Sequence, residues 1–185
     1  MGLSFVFPLN DATGAALARY ERIWPVLAEV ADQAFVGITS VTRARSPDAM
    51  ERLARNRFVE VVALSDQASV GDQFCSLYRV AAEHADGDQF LHLCFSDRLA
   101  FAIESSHRER FLADVAGTAD RAAPLLFARS EYAWSTHPKN YREIERFVTS
   151  LGEILFGRRL DYGWCHLVLQ ARRLAEVVGQ VHNHD

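Results

Sequence analysis

The chain has 185 residues, a formal net charge of −4, 49% hydrophobic residues and 24% charged residues. Such values suit one soluble globular domain with a sizeable core. The acidic balance provides no basic field for a phosphate backbone. No apolar run approaches the roughly 20 residues that span a bilayer, and no basic-then-apolar leader opens the chain, which sets aside nucleic-acid, membrane-spanning and secreted classes.

Leu3 to Leu9 reads as a first buried strand, followed by a helix from about Thr13 to Trp24 that Pro25 either kinks or replaces with a second one. Ala34 to Thr39 is the second strand. Ser46-Pro47-Asp48 then starts a short helix that ends near Asn56, with serine as cap, proline first and an acid in the first turn. Phe58 to Leu64 is the third strand. Ser69 and Asp72 form an approximate capping box for a helix that buries Phe74, Leu77, Tyr78 and Ala81 or Ala82.

Phe90 to Phe95 is the fourth strand, and a helix starts at Asp97 or Arg98. Ser106 and Glu109 fit a second capping box, for a helix over 107–116 that Gly117 stops. Pro124 to Ala128 is a fifth strand, at a sheet edge. Tyr141, Ile144, Val148, Leu151 and Leu155 define a long amphipathic helix closed by Gly157. Trp164, Leu167, Val168, Ala171, Leu174 and Val178 define a last helix, with Asp161 as its N-cap and His166 and Gln170 as polar neighbours on one face. The final residues, 182–185, read as a frayed tail.

The alternation predicts an α/β fold: a mostly parallel central sheet with helices on both faces and a helical C-terminal part. The chain is then a single domain, with residues 1–130 forming the sheet and 131–180 mainly helical. Cys75, Cys94 and Cys165 are odd in number, lack C-x-x-C spacing and sit in apolar runs. They read as buried free thiols, which suits a cytoplasmic location and speaks against a zinc site.

Parallel strands would carry four polar segments to one sheet edge: Asn10-Asp11, Thr39 to Arg43, Ser69 to Asp72, and Ser96-Asp97-Arg98. Ligands bind at such an edge, and helix N-termini there favour anions. The same residues would also cap helices and turn corners, and both readings stay open for Asp11 and Asp72. Asp97, directly after a buried strand, is either a helix cap or a ligand for a divalent cation brought in by a diphosphate. His92, inside a strand, reads as a core histidine. The dinucleotide, P-loop, nucleophile-elbow and zinc-protease motifs are all absent.

Gly71-Asp72-Gln73-Phe74, then Ala85-Asp86-Gly87-Asp88-Gln89-Phe90-Leu91-His92-Leu93, then Ser96-Asp97 resembles the middle of the GT-A nucleotide-diphospho-sugar transferases. In that family a helix ends in an Ala-x-Gly-Asp turn, and the strand after it ends in an Asp-x-Asp metal motif. Here the motif reads Phe95-Ser96-Asp97, with only its last acid. The resemblance covers about residues 3–130. It implies a GT-A/Rossmann-like fold, a nucleotide-diphosphate sugar bound by Asn10, Asp11, Thr39, Gly71, Asp72, Ser96, Arg98 and Trp134, and Mn or Mg held by Asp97.

The segment from Arg129 to Arg142 gathers aromatic, basic and hydroxyl groups that core packing does not require. In a GT-A-like molecule it would shape the acceptor side. Arg129 would neutralise the leaving diphosphate, Trp134 would stack on a sugar or base, and His137 would serve as general base or metal ligand. Asp97, Arg129 and His137 are thus the expected catalytic residues of a glycosyltransferase-like enzyme. The alternative is a non-catalytic binding or assembly module, in which Arg129 pairs with an acid and Trp134 and Tyr141 pack on the sheet. Its C-terminal helices would then form a protein interface, such as a homodimer.

Overall fold

A computed structural model describes residues 2–120, 124–163 and 166–180. The expected features at Trp164, Cys165 and the 182–185 tail lie outside the described residues. The chain builds β1 (Leu3–Pro8), α1 (Ala15–Leu27), β2 (Gln33–Thr39), α2 (Ser40–Arg45), α3 (Pro47–Arg55), β3 (Val59–Leu64) and α4 (Val70–His84). It continues with β4 (Phe90–Leu93), α5 (Ser96–Glu104), α6 (Arg108–Ala116), β5 (Leu125–Leu126), α7 (Glu131–Ser135), α8 (Lys139–Phe156), β6 (Leu167–Gln170) and α9 (Ala171–Gln180). A 3₁₀ turn spans Gly117–Asp120.

The six strands form one mixed sheet in the order β3-β2-β1-β4-β6-β5. The first four strands are parallel: β1 pairs with β2 and β4, and β2 with β3. β6 is reversed, pairing antiparallel with both β4 and β5, and β5 closes the edge. The α/β class and the mostly parallel sheet are therefore as expected.

β1 is apolar at almost every position because it is covered on both faces. Phe5 and Phe7 point to one side, where Leu17, Tyr20, Ile23 and Trp24 of α1 pack with α3, α5 and α6. Val6 points to the other, where Leu77 and Ala81 of α4 meet Leu174 and Val178 of α9. Pro25 lies inside α1 and neither ends the helix nor starts a new one. The 107–116 helix forms without its expected capping box: the Ser105 hydroxyl accepts from His107 N–H, and no side chain caps the helix itself. α2, directly after β2, was not expected from the sequence. The Thr39 hydroxyl caps it by accepting from Thr42 N–H.

The last expected helix needs the larger correction. Residues 167–170 form a strand inserted between β4 and β5, and the helix begins only at Ala171. Leu167-Val168-Leu169 is a short apolar run that helical and extended periodicities fit equally well. The empty place beside β4 decides between them, because an unpaired strand edge there would leave backbone groups unsatisfied.

Candidate functional site

The strand order turns at β1, with β2 and β3 on one side and β4 on the other. In open α/β sheets the crevice outside the carboxyl ends of the strands at such a turn is where ligands bind. The reversal of β6 adds to this edge: β5 ends there alongside β4, and β6 starts there. The edge therefore collects residues from 94–98, 127–129, 161–163 and 166, far apart in sequence.

Several residues expected at the site are occupied in helix capping. Asp11 is buried. Its Oδ1 accepts from Gly14 N–H at 2.8 Å and from Thr13 N–H and Oγ1 at 3.1 Å, and its Oδ2 accepts from Leu17 N–H at 2.9 Å. Burial works against its charge, yet these bonds outweigh it and hold the carboxyl below the usual carboxylate range. Thr39 is buried at the N-cap of α2, its hydroxyl 3.2 Å from that of Thr42. Asp72 closes the expected capping box, with Ser69 Oγ donating to its Oδ2 at 2.6 Å and accepting from its N–H at 3.2 Å. Gly71 lies beside it in the first turn of α4, and Asn10 is exposed after β1.

The structure brings Asp97, Arg98 and His137 together. They line a groove of about 440 Å³ with Arg19, Phe101, Thr136 and Tyr141. Asp97 stands in the first turn of α5 with its side chain 75% exposed, and its Oδ2 lies 3.7 Å from Arg98 Nε. Ser96 starts the same helix, and its carbonyl accepts from the Tyr20 hydroxyl at 2.7 Å, which ties α5 to α1. Arg98 Nη1 lies 2.6 Å from His137 Nε2. A guanidinium can only donate, so a ring nitrogen accepts and the ring is neutral; Nη1 also lies 3.3 Å from Nδ1, with Nε2 the nearer acceptor. Burial, then the charges of Arg98 and Arg129, push the His137 pKa down.

Arg129 sits behind this groove in a closed ionic network. Its guanidinium is fully buried and grips Asp161 in a fork, with Nε–Oδ2 at 2.7 Å and Nη2–Oδ1 at 2.5 Å. Nη1 donates to Glu145 of α8, which also lies 3.5 Å from Arg98 Nη2. Trp134 of α7 lies across the guanidinium, 3.8 Å from its ring centroid. Burial opposes the charge here, but the two carboxylates raise the Arg129 pKa above its ordinary value. Arg129 thus pairs with acids, as the alternative expected, but Trp134 lies on Arg129 and Tyr141 is exposed at the groove, where packing on the sheet was expected of both. Asp161, expected to cap a helix, is a partner of Arg129 instead. Glu145, which joins the two arginines, had no signal in the sequence: it stands beside the apolar stripe of α8, four residues after Tyr141.

A second buried pair lies under the sheet. His92 Nε2 and His166 Nδ1 are 3.0 Å apart, and both rings are fully buried. His92 stacks on Phe127 and packs against Phe5 and Phe111. Burial pushes the His92 pKa well below its ordinary value, with His166 adding to it, and burial and then Arg98 push that of His166 down to about 3. His166 therefore pairs with His92 across the β4–β6 seam rather than with Gln170, whose Oε1 accepts from Arg172.

Cys94 is buried, and Cys75 is a partly buried free thiol. Among the described residues, no three His, Cys, Asp or Glu side chains converge to hold a metal ion, and no helix is long and apolar enough to cross a membrane. No protein-family model and no curated protein matches the chain.

Proposed function

We propose that the chain binds a nucleotide-diphosphate sugar in the groove formed by Asp97, Arg98 and His137, and that it transfers the glycosyl group to an acceptor hydroxyl. The observation that supports this reading is the meeting of one exposed carboxylate, one guanidinium and one neutral imidazole at the carboxyl end of β4, beside the turn in strand order. The resemblance of 71–97 to the GT-A pattern supplies the substrate class.

In this mechanism the diphosphate lies over the start of α5, where Arg98 offsets its charge, while Arg19 beside it is held by Glu104. Arg98 takes the part expected of Arg129, whose guanidinium is engaged by Asp161 and Glu145. A single exposed carboxylate suits Mg²⁺ or Mn²⁺ that arrives with the diphosphate, since such ions take most of their ligands from phosphate and water. Asp97 would hold that ion, which would supply further charge neutralisation of the leaving group. As Arg98 turns to the diphosphate it frees His137 Nε2, which accepts the proton of the acceptor hydroxyl. The acceptor oxygen bonds to the anomeric carbon, and the bond from that carbon to the phosphate oxygen breaks with its electron pair on the diphosphate.

The second reading is a non-catalytic relative that keeps the fold as a binding or assembly module. It is favoured by Phe95, which stands where the GT-A pattern has its first acid, and by the closed pairing of Arg129. Thermal shift against a panel of nucleotide-diphosphate sugars with Mn²⁺ or Mg²⁺ separates the two. A ligand at 100 times its dissociation constant stabilises by about 2.7 kcal/mol. The enzyme reading expects a metal-dependent rise that Asp97→Asn removes. No rise with any sugar nucleotide, or one that Asp97→Asn leaves unchanged, refutes the site.

A further inference from the structure

We infer that the outward side of α8 is the surface through which two copies of this chain pair. The helix is turned the opposite way from an ordinary surface helix. Toward its own domain it presents Glu145, which takes the two arginines, and Gly152, the one buried residue of the helix, against the Tyr162 ring. Toward solvent it presents Ile144, Phe147, Ile154 and Leu155, which are 61%, 69%, 79% and 66% exposed.

Within that face, Tyr141, Ile144, Val148, Leu151 and Leu155 alternate spacings of three and four. This is the a/d seam by which one helix packs along another, and Phe147 and Ile154 widen it on one side. At roughly 150–200 Å² per whole side chain, the exposed part comes to on the order of 800 Å². That exceeds the roughly 300–600 Å² of the largest patch on a typical monomer and equals the share of about 800 Å² that one partner brings to a standard interface.

The charges of the helix identify the occupant. Its polar side carries Lys139, Arg142, Glu143, Arg146 and Glu153, three bases and two acids. Helices that lie on anionic lipid carry a polar face rich in Lys and Arg, which a side with two acids among five charges is not. The positions that flank the seam, Asn140, Phe147, Gly152 and Ile154, are uncharged, and Glu145 among them is held by the two arginines, so a second copy meets the seam without net repulsion. A two-fold pair is the commonest closed assembly. α9 offers no equivalent face, because Ala171, Leu174 and Val178 are buried in the sheet's second core. The seam begins at Tyr141, which also lines the groove of Asp97 and His137, so the pairing would border that groove whether or not it is catalytic.

The test is sedimentation velocity on the full chain at concentrations up to about 100 µM. The expected species has twice the 20.8 kDa chain mass. Phe147→Glu with Ile154→Glu should return it to 20.8 kDa with an unchanged circular dichroism spectrum, since both side chains are exposed in the single copy. Val177→Glu on α9, also an exposed position, should leave the pair intact. A wild-type chain that stays monomeric overturns the inference, including one that instead binds phosphatidylserine vesicles. A pair that survives the double substitution overturns it too.

Discussion

α1 and α8 are both amphipathic, yet they solve opposite problems. α1 buries Leu17, Tyr20, Ile23, Trp24 and Leu27 against the sheet, so the hydrophobic effect attaches it. α8 buries only a glycine, leaves its apolar stripe in solvent and is held by Glu145 on Arg129 and Arg98. A stripe at helical spacing therefore says that some face must be covered, without saying by what. In this chain the parallel half of the sheet is a conventional apolar core, whereas the 129–161 region is fastened by buried charge.

Removing the fastening should produce the largest effect. Arg129→Ala leaves the Asp161 and Glu145 carboxylates without their cation, and such a loss costs about 3–5 kcal/mol. Urea unfolding should show that fall. Hydrogen exchange should show α7 and α8 losing protection while β1 to β3 keep theirs. Equal loss in both regions would break that contrast.

The seam between the two regions should respond to acid. His92 belongs to β4 and His166 precedes β6, and both are buried neutral. In the unfolded chain the rings take up protons near pH 6.5, whereas folded His166 holds off protonation until about pH 3. The unfolded state thus binds more protons throughout that interval, and stability falls as the pH falls from 6.5 towards 3. For His166 each pH unit costs about 1.4 kcal/mol, or about 2 kcal/mol at pH 5, and His92 acts in the same direction. Urea midpoints measured at pH 7.5 and pH 5 test this, and equal midpoints would refute it.

The smallest effect should be confined to the first region. Asp11→Asn keeps the shape of the α1 anchor but loses its charge, which should cost about 1 kcal/mol at neutral pH. The Asp11 pKa lies below 3.8 in the folded state, so its share of stability is present above that value and is lost as the pH falls through the folded pKa. The difference between wild type and variant should accordingly hold from pH 7 to pH 5, separate from the histidine window.

The amino-acid sequence by itself determined the first four strands, most of the helices and the polar edge at 96–98. Those elements follow from local periodicity, proline and serine starts and glycine stops, which act within a few residues. Asp72 as a cap was also legible, because its partner Ser69 is three residues away. Only the tertiary structure decided the strand at 167–170, the pairing of Arg129 with Asp161 and Glu145, and the meeting of His92 with His166. Each depends on groups 16 to 80 residues apart in the chain, which no local pattern couples. It likewise decided which way α8 faces. The stripe was plain in the sequence, but its direction was set by where the buried Arg129 and the partly buried Arg98 needed a carboxylate.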